Sequence, residues 1–376
     1  MTPKIIFVSS HAKLGGAERY LEILMEGLAD EAVDAILCLE EGPFVERLRK
    51  LGYSPEVIST SRRATGILRS AMKLRRRIAR AGGPRVIHAN NLKAALVAGL
   101  ATVASRVPVV WVKHDFSSDG RLARFVGRLS ERIVGVVGAV TTTFGPSFRD
   151  KVQVVPNGIV PMIEDRRRGR ESVVAAIGHI PKGPIVGLVG RLHPWKGQLE
   201  LVAVAPEVAG RIPGVAFVIV GGPDPTTPEY ETRVREQIAA SNLGDRVHLL
   251  GQRNDAVSLI AGFDLLVMPS VRDDKGEGRD AFPFVGLEAM SVGTPIIAYA
   301  DGGLPEMLGD CGRTVPPADR SHLAGAIVDV LTDDALRSRM ETCGKARVKE
   351  RFSAATMVTA MERVYEEVSG AHRQGR

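Results

Sequence analysis

The sequence is short of the residues that staple or metallate a fold. Its 376 residues include three cysteines, Cys38, Cys311 and Cys343. They are far apart, odd in number and form no C-x-x-C. A disulfide framework and a cysteine zinc site are therefore not expected, and a reducing cytosol fits. There is no D-x-D pair, no H-E-x-x-H and no G-x-S-x-G. A metal-held diphosphate and a serine hydrolase lose their support. G-x-G-x-x-G is missing too, which disfavours a nicotinamide dehydrogenase. Long apolar runs are lacking: the stretch from Ala94 to Val112 is broken by Ser105, Arg106 and Pro108, so no membrane span is expected. The opening MTPKIIFVSSHAK has only a four-residue apolar run, too short for a signal-peptide core, and a cytoplasmic protein is expected. Finally, no acidic residue lies between Glu56 and Asp115, whereas twelve Lys and Arg do.

What is present points to two domains. The length exceeds what one hydrophobic core fills. Continuous apolar, β-branched runs occur at 5–10, 35–39, 86–90, 107–114 and 152–158. They recur at 185–191, 215–222, 246–251, 264–270 and 294–300. Amphipathic stretches separate them, such as Ala17 to Leu28 and Gly66 to Arg80. Runs of this kind are parallel strands covered on both faces, so two doubly wound α/β domains are expected, with ligands in a cleft outside the carboxyl ends of the strands. The Gly-, Pro- and Arg-rich stretch from Ile159 to Pro184 reads as the boundary. It gives domains 1–165 and 166–355, with a terminal helix in 356–376 and a mobile tail after Ser369.

Four segments carry candidate chemistry. In SSHAKLGGAERY, Gly15 and Gly16 follow a strand and open a helix, where free N–H groups attract anions; the same glycines also suit a plain tight turn. In VGRLHPWKG, Arg191 and Lys196 stand between a strand and a helix, a placement that can neutralise a diphosphate or simply be solvated. In DAFPFVGLEAM, Asp280 lies on the loop before a helix that carries Glu288. Carboxylates so placed can bind vicinal hydroxyls, or can cap the helix and face solvent. His114, in WVKHDF, ends a buried strand, where it can bond a hydroxyl, assist a leaving group or serve structure.

Together the segments GGAER at 15–19, VIHANN at 86–91, KHD at 113–115, VVPNGI at 154–159, VGRLHPWKG at 189–197, VIVGGP at 218–223, VHLLGQRNDA at 247–256, DLLVMPS at 264–270, DAFPFVGLEAMSVGTPIIA at 280–298 and GGLPE at 302–306 resemble family 4 of the retaining, nucleotide-sugar-dependent glycosyltransferases. The resemblance implies the GT-B fold, two Rossmann-like domains facing across a cleft. The first would hold the acceptor and the second the nucleotide sugar, with the terminal helix crossing back to the first. It implies that Gly15 and Gly16 meet the donor diphosphate, that Arg191 and Lys196 neutralise it, and that Asp280, Phe282, Pro283 and Phe284 face the donor sugar. Glu288 would bind the ribose, Arg253 would border the base, and His114 would lie near the sugar. His114, Arg191, Lys196 and Asp280 would be the catalytic set. The implied reaction moves a hexose from a UDP- or GDP-linked donor to a hydroxyl of a glycan, lipid-linked or small-molecule acceptor by front-face displacement. No metal and no resident cofactor are implied. Two departures from the pattern are Asp280 in place of Glu and Val160 after NGI; Glu277 is a nearby carboxylate at the wrong spacing. The rival readings are a nucleotide-sugar epimerase of the same architecture and a non-catalytic nucleotide-sugar-binding module.

The charge is lopsided. Residues 1–165 contain 24 Lys+Arg and 16 Asp+Glu, whereas residues 166–376 contain 26 and 27. The excess is concentrated in residues 62–80. There Ile67, Ala71, Leu74 and Ile78 mark one helical face, and Arg69, Lys73, Arg76 and Arg80 another. Such a helix suits peripheral contact with an anionic inner-membrane face, or solvated cations over a helix packed on its own sheet. Nucleic acid is not expected, since the stretch has no aromatic residue for stacking.

Overall fold

The computed structural model describes residues 3–61, 63–80, 85–103, 105, 107–116, 120–272 and 278–374. Arg62 and Glu277 lie outside them. The chain divides into two compact units. One comprises Met1–Gly158 with Ala354–Arg376, and the other Ile159–Ser353.

The first unit is a parallel sheet of β1 (Lys4–Ser9), β2 (Val33–Cys38), β3 (Glu56–Val57), β4 (Arg85–Asn90), β5 (Val109–Lys113), β6 (Arg132–Gly135) and β7 (Val152–Val154), in the order β3-β2-β1-β4-β5-β6-β7. The helices α1 (Gly16–Gly27), α2 (Pro43–Lys50), α3 (Ala64–Arg80), α4 (Leu92–Thr102) and α5 (Arg121–Leu129) make the crossovers. Strands β1, β4 and β5 are buried along their length, Lys4 excepted, because helices cover both faces. Ile6, Val8, Ile87, Ala89 and Trp111 pack under α4 in one buried cluster. The order reverses between β1 and β4, and the two strand ends are tied there. Ser10 Oγ donates to Asn90 O at 2.8 Å and accepts from Ala94 N at 2.9 Å.

The second unit contains α6 (Arg166–Ile177), β8 (Ile185–Val189), α7 (Gln198–Arg211), β9 (Ala216–Val220), α8 (Tyr230–Ala240), β10 (Val247–Leu249), α9 (Ala256–Ala261), β11 (Leu265–Met268), α10 (Phe284–Val292), β12 (Ile296–Tyr299), α11 (Leu304–Leu308), β13 (Arg313–Val315), α12 (Arg320–Thr332) and α13 (Asp334–Arg351). Its parallel sheet runs β10-β9-β8-β11-β12-β13, with the reversal between β8 and β11. Val186, Leu188, Phe217, Ile219, Leu265 and Val267 form its core with α7 and α12.

Helix α14 (Ala354–Gln374) belongs to the first unit. It packs on α1 and β4, and buried Tyr365 places its hydroxyl 2.7 Å from His88 Nδ1. The division falls at Gly158 rather than at 165, because Ile159 N donates to Phe352 O at 2.9 Å and so joins the second unit. Helix α14 also extends past Ser369 to Gln374, where a mobile tail was expected.

The boundary stretch 159–184 contains a helix that the sequence reading did not assign: RRRGR begins α6. The Asp165 side chain caps it by accepting from Arg167 N and Arg168 N. Gly169 lets α6 sit backbone to backbone on α9, and Arg170 bonds Asp264 at 2.7 Å. The cysteines also differ from expectation, since Cys311 and Cys343 form a disulfide between the turn after α11 and α13, while Cys38 is free and buried. The pair lies 32 positions apart in sequence, so only tertiary structure brings the two together. Among the described residues no helix is long and apolar enough to cross a membrane.

A Cβ at Gly169 would lie 2.5 Å from Gly262 N and 2.7 Å from Ser258 O, both backbone atoms. Gly169→Ala is therefore expected to destabilise the protein by about 1–3 kcal/mol through forced separation of α6 and α9. Denaturant titration checks this, and a midpoint unchanged from wild type contradicts it.

Candidate functional site

In the second unit the candidate residues gather at the β8/β11 reversal, where both neighbouring crossovers leave a crevice at the strand ends. Arg191 follows β8, and Lys196 ends a single 3-10 turn, Pro194–Lys196. That turn passes into α7 through Gly197, whose φ is +74° and whose Cβ would meet Pro269 O at 1.9 Å. Only glycine allows the loop after β8 to lie this close to the end of β11. Gln198, fully buried, donates to Arg191 O at 2.8 Å and fixes the same loop from inside.

The approach brings Lys196 Nζ to 2.5 Å from Asp280 Oδ1, and Ser270 Oγ donates to Asp280 Oδ2 at 2.5 Å. The Asp280 carboxyl is mostly buried. Burial pushes it up, but Lys196 and the Ser270 hydroxyl outweigh burial, so it lies below the usual carboxylate range and is ionised. The Asp280 backbone is held as well: its carbonyl accepts from Gly303 N at 2.8 Å, beside Gly302 at φ +62°. From Asp280 the chain turns directly into α10. Phe282 is buried edge-on against Phe352 at 5.1 Å, Pro283 is the N-cap, Phe284 begins the helix, and Glu288 is buried on it.

Arg191 is more exposed and forms a 2.6 Å ion pair with buried Asp224. Thr226 holds the other Asp224 oxygen through its N–H and hydroxyl. Thus both cations of the VGRLHPWKG segment carry a carboxylate partner. Arg253 is apart from this group, paired two-pronged with Asp255 of its own loop at 2.7 and 2.9 Å.

In the first unit, Gly15 is the exposed N-cap of α1 and Gly16 its first residue, next to the β1/β4 reversal. No side chain caps this helix start. Nearby, His114 Nε2 lies 2.6 Å from Asn90 Oδ1, and Asn90 Nδ2 donates to Ala17 O at 3.1 Å. The second bond orients the amide, so the Asn90 oxygen faces the ring and His114 carries its proton on Nε2. Nδ1 is then the acceptor. Burial lowers the His114 pKa to about 4, and Tyr20 packs edge-on at 4.8 Å. At neutral pH the ring is uncharged and can accept a hydroxyl proton, but it does not serve as an imidazolium.

Sequence reasoning missed Asn90, Ser270, Asp224 and Glu18. Glu18 is 5% exposed in the first turn of α1. Burial raises its pKa to about 7; its own backbone N–H opposes this, and Glu40 and Glu22 add to it. A glycine N-cap followed three residues on by glutamate was the available signal.

The comparisons with known proteins follow the same division. Two parallel, doubly wound units define the GT-B class of glycosyltransferase folds. Residues 14–161 match the family described as Glycosyltransferase Family 4, and residues 183–333 match Glycosyl transferases group 1. The chain is 32% identical over 249 residues to a 2-deoxystreptamine N-acetyl-D-glucosaminyltransferase of Streptomyces fradiae, covering 64% of this chain and 55% of that one. It is 29% identical over 306 residues to a phosphatidyl-myo-inositol mannosyltransferase of Mycolicibacterium smegmatis, covering 76% and 72%. Among solved structures, Anabaena HepE in complex with UDP has a TM-score of 0.83 at 24% identity, over 97% of this chain and 100% of that one. The chain belongs to the family 4 glycosyltransferases of GT-B fold. It spans about half the length of several curated relatives, 55% and 48% of two of them.

Glu18 supplies a test. Its pKa rises from 4.5 to about 7 on folding, so the folded state binds the extra proton between those values. The stability that Glu18 contributes is therefore fully present below about 4.5 and is lost as pH rises towards 7. Glu18→Gln is expected to be more stable than wild type at alkaline pH, by up to ~3 kcal/mol, with the gain vanishing in acid. Denaturation midpoints across pH measure it, and a pH-independent difference contradicts it.

Proposed function

We propose that the chain is a retaining glycosyltransferase that moves a hexose from a nucleoside diphosphate donor to an acceptor hydroxyl. The observation that carries this is the Lys196–Asp280–Ser270 knot at the β8/β11 reversal, with Arg191 beside it. A donor diphosphate brings two or more negative charges to a crevice already holding two fixed cations. Lys196 and Arg191 stabilise the charge that grows on the leaving phosphate, without reorganising when the reaction occurs. Asp280, ionised and anchored by backbone, accepts hydrogen bonds from sugar hydroxyls, with the 282–284 segment alongside. Glu288 takes the ribose hydroxyls and Arg253 flanks the base.

In the proposed step the bond from the anomeric carbon to the phosphate oxygen breaks. The acceptor oxygen bonds that carbon on the same face, and a phosphate oxygen takes the acceptor proton. In the first unit, the Gly15–Gly16 turn offers free N–H groups to an anion, and the neutral His114 ring accepts from a hydroxyl. The relatives' names include N-acetyl-D-glucosaminyl transfer with 2-deoxystreptamine and mannosyl transfer with phosphatidyl-myo-inositol. HepE was solved with UDP-glucose. UDP- and GDP-linked hexoses are accordingly the donors to try, with cyclitols and lipid-linked glycans as acceptors.

Arg191→Ala, at an exposed side chain, and Lys196→Ala are each expected to lower kcat by roughly a hundredfold to a thousandfold. Activity is expected to survive chelation by EDTA. The product anomer, read by NMR, is expected to match the donor's. Donor turnover without acceptor would instead identify an epimerase, and near-normal transfer by folded Lys196→Ala would remove Lys196 from the mechanism.

A further inference from the structure

One face of the first unit is left unexplained by donor chemistry. Right-handed crossovers put α3, α4 and α5 on the same side of the sheet, with α4 packed between the other two. Helices α1 and α2, whose connections run in the opposite direction, lie on the other side. The two layers differ in charge. Helix α3 carries six Lys and Arg, α4 one and α5 three, and none of the three carries a carboxylate. Helix α1 alone carries Glu18, Glu22 and Glu26.

The basic layer is also apolar on its outside. Ile67, Ala71, Leu74 and Ile78 of α3 pack inward, as the helical spacing predicts. Leu68 and Met72, one turn apart, are 53% and 55% exposed on the same helix. On α5, Leu122 and Phe125 are 48% and 45% exposed, again one turn apart, and Val103 at the end of α4 is 69% exposed. These residues alternate with exposed Arg69, Lys73, Arg76, Arg121 and Arg124, which have no ion-pair partner among the described residues. A solvated helix needs cations but gains nothing from displaying Leu, Met and Phe between them. Only a partner that is anionic at its surface and apolar beneath uses both.

We propose that the α3–α4–α5 face docks on the surface of a bilayer rich in anionic lipid. Leu68, Met72, Leu122 and Phe125 enter the acyl boundary, and the arginines and Lys73 stay at the phosphate level. Two helices presenting the same pattern, held by α4, lay the unit flat with its sheet parallel to the membrane. The inference is independent of the transferase reading, since it uses none of the residues placed in that site.

The test is cosedimentation of the full chain with vesicles of phosphatidylcholine alone, or with roughly a third phosphatidylglycerol. Preference for the anionic vesicles is expected, weakening as salt rises. The triple variant Arg69→Glu, Lys73→Glu, Arg76→Glu is expected to lose roughly a hundredfold or more in partitioning, and Leu122→Ser with Phe125→Ser roughly tenfold. Lys349→Glu, an exposed change in the second unit, is expected to bind as wild type. All these positions are exposed, so thermal unfolding should be unchanged, and donor binding measured alongside should be unaffected. Equal sedimentation with neutral and anionic vesicles overturns the proposal. So does anionic preference that ignores Leu122 and Phe125, or equal retention on duplex DNA, since either would mark a general polyanion surface.

Discussion

The second unit depends on the satisfaction of one enclosed carboxylate. Asp280 would be costly to bury alone. It is tolerated because Lys196 arrives from the turn after β8 and Ser270 from the end of β11. Those partners can meet it only because Gly197 allows its loop to lie against Pro269. The ion pair therefore ties the loop after β8 to the loop between β11 and α10, and it sets the start of α10, which carries Phe284 and Glu288. Removing one partner leaves the other charge enclosed, so the geometry of these loops and their local stability are the same property here.

The first unit shows a neutral version of this arrangement. Ser10 and Asn90 tie the ends of β1 and β4, and Asn90 then dictates which nitrogen of His114 bears the proton. Burial keeps that ring uncharged, and it holds His88 down to about 3. Two neutral imidazoles, Tyr20 and Tyr365 thus line one interior instead of a cationic pocket.

The fold was legible wherever apolar strands ran on for five residues or so, as in β1, β4, β5, β8 and β9. Strands β3, β6 and β13 were not, because strands of two to four residues carry too little pattern. Helix α6 was not assigned because only Gly169 and Val173 are buried, too few apolar positions to mark a helical face. Asp280, Lys196 and Arg191 were visible as residues, but not their pairings. Ser270, Asp224 and Asn90 are ordinary polar residues until crossovers bring strand ends together. The same holds for Cys311 and Cys343, whose separation in sequence gives no hint that α13 returns beside the turn after α11.

The first unit is closed by α14, which follows the whole of the second unit in sequence. During synthesis, the sheet β1–β7 leaves the ribosome long before Tyr365 exists to bond His88. Val358 is likewise missing from its place against Gly27. The second unit, contiguous from Ile159 to Ser353, can be complete while the first still lacks its cover. Completion of the first unit thus waits for α14, and a chain cut before Ala354 would release one finished unit and one with an open apolar flank.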